Sequence, residues 1–411
     1  MLKRPKRKNP VLRTRLPTLP PAARSRIALG LTAAAALGRF ELQQCRDCGT
    51  VQYPPREACH NCLSIRLAWK PQNDQGELLA GTVLHHSNDL FFRERLPWRL
   101  GLIKLASGPT VVAHLHGDVP AAPAPVRVAA RLDRAGQAVL VALPDKETPD
   151  MADDPQLREF TCDPKFRKVL VTDGKTGVGQ ALVRALAAAG AELIWVGHAE
   201  PWKKFAGFEE LQQIAQVTLL PLDVTDSKNV REVAAEIGGK VDILINNAEY
   251  HRAFGIGNRH GVETARAEMD VNYFGLLRLA QEFGPAMRSR GADGLASAVA
   301  WVNLLSIYAL ANFPAHGTFS ASKAAAQSLA QCLRAEMRPA GVRVVNVLPG
   351  PIDDEWSQLQ LPPKIAPAAL AVAIVKALRD GVEDVYPGDV AQEWLERWRD
   401  NPKALERELS S

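Results

Sequence analysis

Residues 168–189 read KVLVTDGKTGVGQALVRALAAA. A β-prone apolar run over 168–172 meets a turn holding Gly174, Gly177 and Gly179, and an Ala/Leu-rich helix carries on to Ala189. Glycine at such a turn lets backbone N–H groups come close to an anion, and the positive end of the helix favours its charge. Alone, the pattern is a weak nucleotide signal. It gains force from its surroundings. Further β-prone runs occur at 193–196, 217–220, 241–245, 298–304 and 343–347, with helical stretches between them. Strands alternating with helices predict an α/β domain, a doubly wound parallel sheet covered on both faces. A nucleotide in such a sheet lies beyond the carboxyl ends of the strands.

Short motifs sit at the ends of these runs. Leu222-Asp223-Val224 follows the third, Asn246-Asn247-Ala248 the fourth, and Asp270-Val271-Asn272 lies in the next helix. Ser306 follows the fifth, Phe319-Ser320-Ala321-Ser322-Lys323 opens a helix, and Pro349-Gly350-Pro351-Ile352 follows the sixth. With the glycine turn, these residues resemble a short-chain dehydrogenase/reductase over 167–391. The resemblance sets a Rossmann domain at 165–391, followed by a C-terminal helix at 392–411. It implies an NAD(P)-dependent oxidoreductase acting on a carbonyl or hydroxyl of a small molecule, and a homo-oligomer. It implies that the cofactor is held by Thr172, Gly174, Lys175, Gly177, Val178, Gly179, His198, Asp223, Val224, Asn246, Asn247, Ala248, Lys323, Pro349, Gly350 and Ile352. Ser306, Lys323 and Asn272 match the family's catalytic positions. His198 stands where NADP-preferring relatives often carry arginine, and no acid ends the second strand to take a ribose 2′-hydroxyl. The lean is therefore to NADP over NAD.

The family's tyrosine, thirteen residues after the serine, is Phe319 here. Phenylalanine neither donates nor accepts a proton, so the family's general acid is missing at that position. Tyr308 and His316 are the neighbouring groups that could replace it, Tyr308 first. Three further departures point the same way. Asp173 takes the place of the first motif glycine, Glu249 that of the glycine after Asn-Asn-Ala, and Asp354 that of a threonine after the Pro-Gly motif.

The first half of the chain reads differently. Residues 40–62 are FELQQCRDCGTVQYPPREACHNC, with Cys45, Cys48, Cys59 and Cys62 in two CxxC pairs. Four thiolates in two chelating turns suit one tetrahedral Zn²⁺ with no open position, so the zinc is structural. Five short β-prone runs follow between 77 and 143, split by Gly, Pro, Asn or Asp, and predict a small all-β barrel. A zinc ribbon followed by such a barrel resembles the zinc-ribbon/OB-fold family that accompanies thiolases and other acyl-CoA enzymes. That likeness covers 38–145 and implies an acyl-CoA ligand or a thiolase-like partner enzyme. The divisions are a basic arm and short helix at 1–37, the ribbon at 38–70, an OB-like barrel at 71–145 and a linker at 146–164.

The net charge of +5 comes from the arm. Residues 1–26 hold nine Lys/Arg and no acid, which leaves 41 basic against 45 acidic residues in the remainder. An acid-rich body argues against nucleic acid, although Phe91, Phe92 and Trp98 beside Arg93, Arg95 and Arg99 have the composition of a stacking patch. No apolar run is long enough for a membrane span. Cys162 and Cys332 read as free thiols, which suits a reducing, cytoplasmic setting. Three readings remain: an oxidoreductase fed by an acyl thioester, a non-catalytic dehydrogenase fold that senses cofactor and docks an acyl-CoA enzyme, and, weakest, a nucleic-acid-binding OB protein.

Overall fold

A computed structural model describes residues 18–258, 260–291, 297–358 and 360–410. Most of the basic arm lies outside them. Two compact units form: Thr18–Asp163 with Arg379–Val382, and Pro164–Leu378 with 383–410.

In the first unit α1 (Leu29–Ala36) precedes a three-stranded antiparallel sheet. Its central strand β1 (Glu41–Cys45) lies between β2 (Val51–Gln52) and β3 (Leu67–Pro71). Five strands then close a barrel in the order β4-β5-β6-β8-β7: β4 (Gln75–Leu84), β5 (Trp98–Leu105), β6 (Thr110–Leu115), β7 (Ala124–Leu132) and β8 (Ala138–Pro144). Their alternation sends Ile103, Leu105, Val111, Ala113, Val126 and Val128 inward. The same cluster takes in Leu31 and Ala35 of α1, Leu42 of β1 and Trp69 of β3, so ribbon and barrel share one core. Gly30 is required there, because a Cβ would meet the Trp69 indole at 2.1 Å.

The structure bears on two segments of this unit. Phe91, on the short helix α2 (Leu90–Arg93), and Trp98 are buried with Phe160 and are no stacking platform. Trp98 Nε1 donates to His114 Nδ1 at 2.8 Å, and Arg99 is spent on the carbonyls of His116, Gly117 and Val119. The segment expected as a linker, 146–164, is strapped to the barrel for much of its length. Leu157 and Phe160 are buried, and the Gln156 side chain both donates to and accepts from the backbone of Arg99. Its acidic, Pro-containing composition hid those two apolar anchors.

The second unit is a seven-stranded parallel sheet in the order β11-β10-β9-β12-β13-β14-β15. The strands are β9 (Lys168–Val171), β10 (Leu193–His198), β11 (Val217–Pro221), β12 (Ile243–Asn246), β13 (Ala300–Leu304), β14 (Arg343–Val347) and β15 (Asp384–Val385). The connecting helices are α3 (Gly177–Ala188), α4 (Phe208–Gln212), α5 (Ser227–Ile237), α6 (Glu263–Met269), α7 (Leu276–Ser289), α8 (Gly317–Met337) and α9 (Pro367–Asp380). Between α6 and α7 the residues Asp270–Gly275 wind as a π-helix, a geometry frequent at functional sites. Leu170, Leu244, Trp301 and Val344 of the sheet pack on Leu279 and Phe283 of α7 and Ala330 of α8. The single C-terminal helix expected at 392–411 is two, α10 (Asp389–Asp400) and α11 (Pro402–Glu408). Asn401 breaks them by capping Ala404 N, with Pro402 at the first helical position. Among the described residues, no helix is long and apolar enough to cross a membrane.

Candidate functional site

The four cysteines converge. Cys45 and Cys62 sulfurs are 3.6 Å apart, as are those of Cys48 and Cys59, and all four lie within 4.8 Å of one another. Tetrahedral zinc with Zn–S near 2.3 Å holds its sulfurs roughly 3.8 Å apart, so the set fits one ion. Each knuckle closes alike: Gly49 N donates to Cys45 O and Leu63 N to Cys59 O, both at 3.0 Å. Gly49 needs its φ of +74° to make that turn.

In the second unit the glycine turn opens a cleft of about 290 Å³ beyond the strand ends. Lys175, Thr176, Gly177, Val178, Asn247, Glu249, Leu304, Ile352 and Asp354 line it. Thr172 ties the glycine turn to the segment after β12. The hydroxyl accepts from Asn247 N and Ala248 N, each at 3.0 Å, and approaches Asn246 Oδ1 at 3.3 Å. Asn247 in turn donates to Asp173 O and accepts from Asp173 N. Thr176 caps α3 by accepting from Gly179 N, leaving the helix N-terminus facing the cleft. A Cβ on Gly179 would sit 2.0 Å from Asp173 O, and one on Gly174 2.2 Å from Val196. These positions make a backbone cradle suited to a pyrophosphate.

The remaining cofactor candidates do not line that cleft. Asp223 accepts from Thr225 N and Oγ1, and Val224 packs against Gly275. Pro349 O accepts from Ile307 N, and Gly350 packs on Val390. His198 is buried with its ring edge-on to Phe205 and Phe208.

Asp173 is chemically the odd member of the cradle. Burial raises its carboxyl from 3.8 to about 6, against the pull of Lys175. A carboxyl raised on folding binds more protons in the native state, so it weakens stability as pH climbs from about 4 to 6. Asp173→Asn should therefore raise the melting temperature at pH 8 and leave it unchanged at pH 3.5, which a pair of calorimetric scans would check.

The catalytic candidates gather behind the cleft. Asn272, on the π-helical turn, donates to Tyr250 O and Ser322 Oγ, both at 2.9 Å. Lys323 is buried on α8. Its Nζ donates to Leu304 O at 3.0 Å and pairs with Glu249 Oε2 at 2.7 Å. Phe319, one turn earlier, lies flat against His251 with ring centroids 3.8 Å apart. His251 Nε2 and His316 Nδ1 share a 2.6 Å hydrogen bond, and Gln360 reaches His316 Nε2 and Tyr308 OH. Ser306 Oγ accepts from Tyr308 N at 3.2 Å. Burial moves Tyr308, His251 and His316 away from giving up a proton at neutral pH. Tyr308 is raised to about 12, His251 is lowered to about 4, and His316 is lowered too, so both imidazoles are neutral.

The family profile described as short chain dehydrogenase matches residues 167–361. A short chain dehydrogenase from Burkholderia cenocepacia, solved in complex with NADP, is 37% identical, covering 60% of this chain and 98% of that one with a TM-score of 0.54. This chain belongs to the short-chain dehydrogenase/reductase family. Its first unit matches two further profiles, a ChsH2 rubredoxin-like zinc ribbon domain at 32–66 and a ChsH2 C-terminal OB-fold domain at 69–136. Dehydrogenase/reductase SDR family member 7B of Mus musculus is 33% identical over 46% of this chain and 58% of its own length. A fatty acyl-CoA reductase of Acinetobacter baylyi is 29% identical over 44% of this chain and 61% of its length. The chain thus spans about three fifths of these curated relatives.

As a short-chain dehydrogenase/reductase, the protein keeps the frame of the site and alters its centre. Sequence reasoning found Glu249 as a departure and Lys323 as a catalytic candidate but missed that the two pair. It missed His251 altogether, for which a lone histidine after Glu249-Tyr250 gave no signal.

Proposed function

We propose that the dehydrogenase-fold unit binds a nicotinamide dinucleotide, NADP foremost, without reducing carbonyls itself, and serves an acyl-CoA enzyme that the zinc-ribbon/OB unit docks. One observation carries this reading. The position of the family's proton donor is a phenylalanine sealed under His251, and the nearest phenol, Tyr308, is pushed up to about 12. A donor held that far from neutrality contributes little general-acid catalysis. The NADP of the 37% identical Burkholderia protein supports the choice of cofactor. The fatty acyl-CoA reductase relative and the ChsH2-type unit support a thioester partner chemistry. Self-association through the helices carrying Asn272 and Lys323 belongs to the same proposal, as does a cytoplasmic setting.

The test is titration of the purified protein with NADP(H) and NAD(H), followed by a screen with NADPH against aldehydes, ketones and 3-oxoacyl thioesters. Binding without turnover is the expected result. Turnover at an ordinary enzymatic pace, about 1 s⁻¹ or more, would overturn it. A second reading would then take its place, because the side chains of His251, His316, Gln360 and Tyr308 form a hydrogen-bonded row that ends on the Tyr308 phenol. On that reading Tyr308→Phe abolishes turnover.

A further inference from the structure

The cleft is acidic where the end of a ligand remote from its phosphates would lie. Glu249, Asp354 and Glu355 line it, and among its described lining residues Lys175 is the one cation. Lys175 Nζ is itself held 2.7 Å from Glu200. Glu249 and Lys323 form an ion pair whose two ends differ in access. The Glu249 side chain is 15% exposed and lines the cleft, whereas Lys323 is 2% exposed and does not. The carboxylate is thus the end of the pair presented to a ligand. Phosphates belong at the N-terminus of α3, which leaves the ribose–nicotinamide end for the wall formed by Glu249, Leu304 and Ile352.

Nicotinamide differs between its redox states by one charge: the oxidised ring is a cation and the dihydro ring is neutral. Resting on the proposed cofactor binding, we propose that Glu249 makes this site selective for the oxidised dinucleotide, so that the protein reads the redox state of the cofactor pool instead of consuming it. A glycine at this position supplies no charge. A carboxylate there attracts the cationic ring across a partly water-excluded wall, where Coulomb terms are larger than in bulk water. Asp354 lines the same cleft and adds to the same field.

The experiment measures dissociation constants of NADP⁺, NADPH and 2′-phospho-ADP-ribose, which lacks the ring, on the intact protein by calorimetry. NADP⁺ should bind at least about tenfold tighter than NADPH, and NADPH no tighter than the ring-less nucleotide. Glu249→Gln should bring the two redox forms within about twofold of each other while leaving the ring-less nucleotide unchanged. Equal affinity of the two forms for the wild type overturns the inference and leaves the proposed function standing. A preference that survives Glu249→Gln overturns it too. Should that variant fail to fold, the comparison of the three ligands on wild type decides alone, since a preference for NADP⁺ over the ring-less nucleotide requires attraction to the ring. Failure of every nucleotide to bind defeats both this inference and the cofactor reading beneath it.

Discussion

Replacing Cys59 by alanine releases the metal and unfolds ribbon and barrel together, leaving the dehydrogenase unit folded. Cys59 is fully buried and supplies one of four sulfurs drawn within 4.8 Å. Four thiolates that close repel one another unless a cation lies between them. Structural zinc sites of this type contribute about 10–16 kcal/mol, as much as the whole stability of an ordinary domain. The ribbon has little else of its own, because β2 is a two-residue strand and the sheet is three strands wide. Its apolar residues Leu42 and Trp69 belong to the same cluster as Ile103 and Val126 of the barrel. Loss of the ribbon therefore strips one side of the barrel core. Elemental analysis should fall from one zinc per chain to none, and limited proteolysis should consume the region before 163 while a fragment from about 167 onward survives. Cys162→Ala is the control: that thiol is buried but lies outside the ligand set, and zinc content should not change. A variant that loses zinc yet keeps its barrel amides protected from exchange would show that the core stands without the staple.

What the sequence disclosed and what it withheld divide along physical lines. The parallel sheet was legible because each of its buried strands is a continuous apolar run, as in Val169–Val171 or Ile243–Ile245, bounded by turn residues. The zinc set was legible because chelation demands fixed spacing along the chain. β15 was not, since two residues carry no periodicity. The break at Asn401 was present as an Asn-Pro signal and passed over. The pairings at the site were beyond reach for a different reason. Glu249 follows β12 and Lys323 lies on α8, and no local pattern links them. His251 and His316 come together only when the loop after β12 folds over the start of α8. The identity of each departure could be read from the chain, and its consequence could not, because the consequence is a contact.

Those contacts predict that reductase chemistry returns only when two substitutions are made together. Phe319→Tyr restores a phenol at the rim of a ring whose face is stacked on His251 and whose centroid is 5.4 Å from Lys323 Nζ. By itself it gains little, because the ammonium that should draw the phenol's pKa down is already satisfied by Glu249 at 2.7 Å. Glu249→Gly by itself frees the ammonium and provides no donor. The double variant supplies both, in a site where Ser306 and Asn272 are already in place. Residues that act as a unit are strongly non-additive, so the gain should appear in the double variant and in neither single one. Positioned general acid–base catalysis is worth about 10²–10⁴-fold, and the double variant should oxidise NADPH with a carbonyl substrate at least about 10²-fold faster than wild type. Following NADPH absorbance across the four proteins and a panel of ketones and 3-oxoacyl thioesters would read this directly. Wild type as fast as the double variant would mean that the proton already comes from elsewhere, and would turn attention to Tyr308. A double variant that binds NADPH and remains silent would place the block further out, at Gln360, whose contacts with His316 and Tyr308 tie the segment after Asp354 across the site.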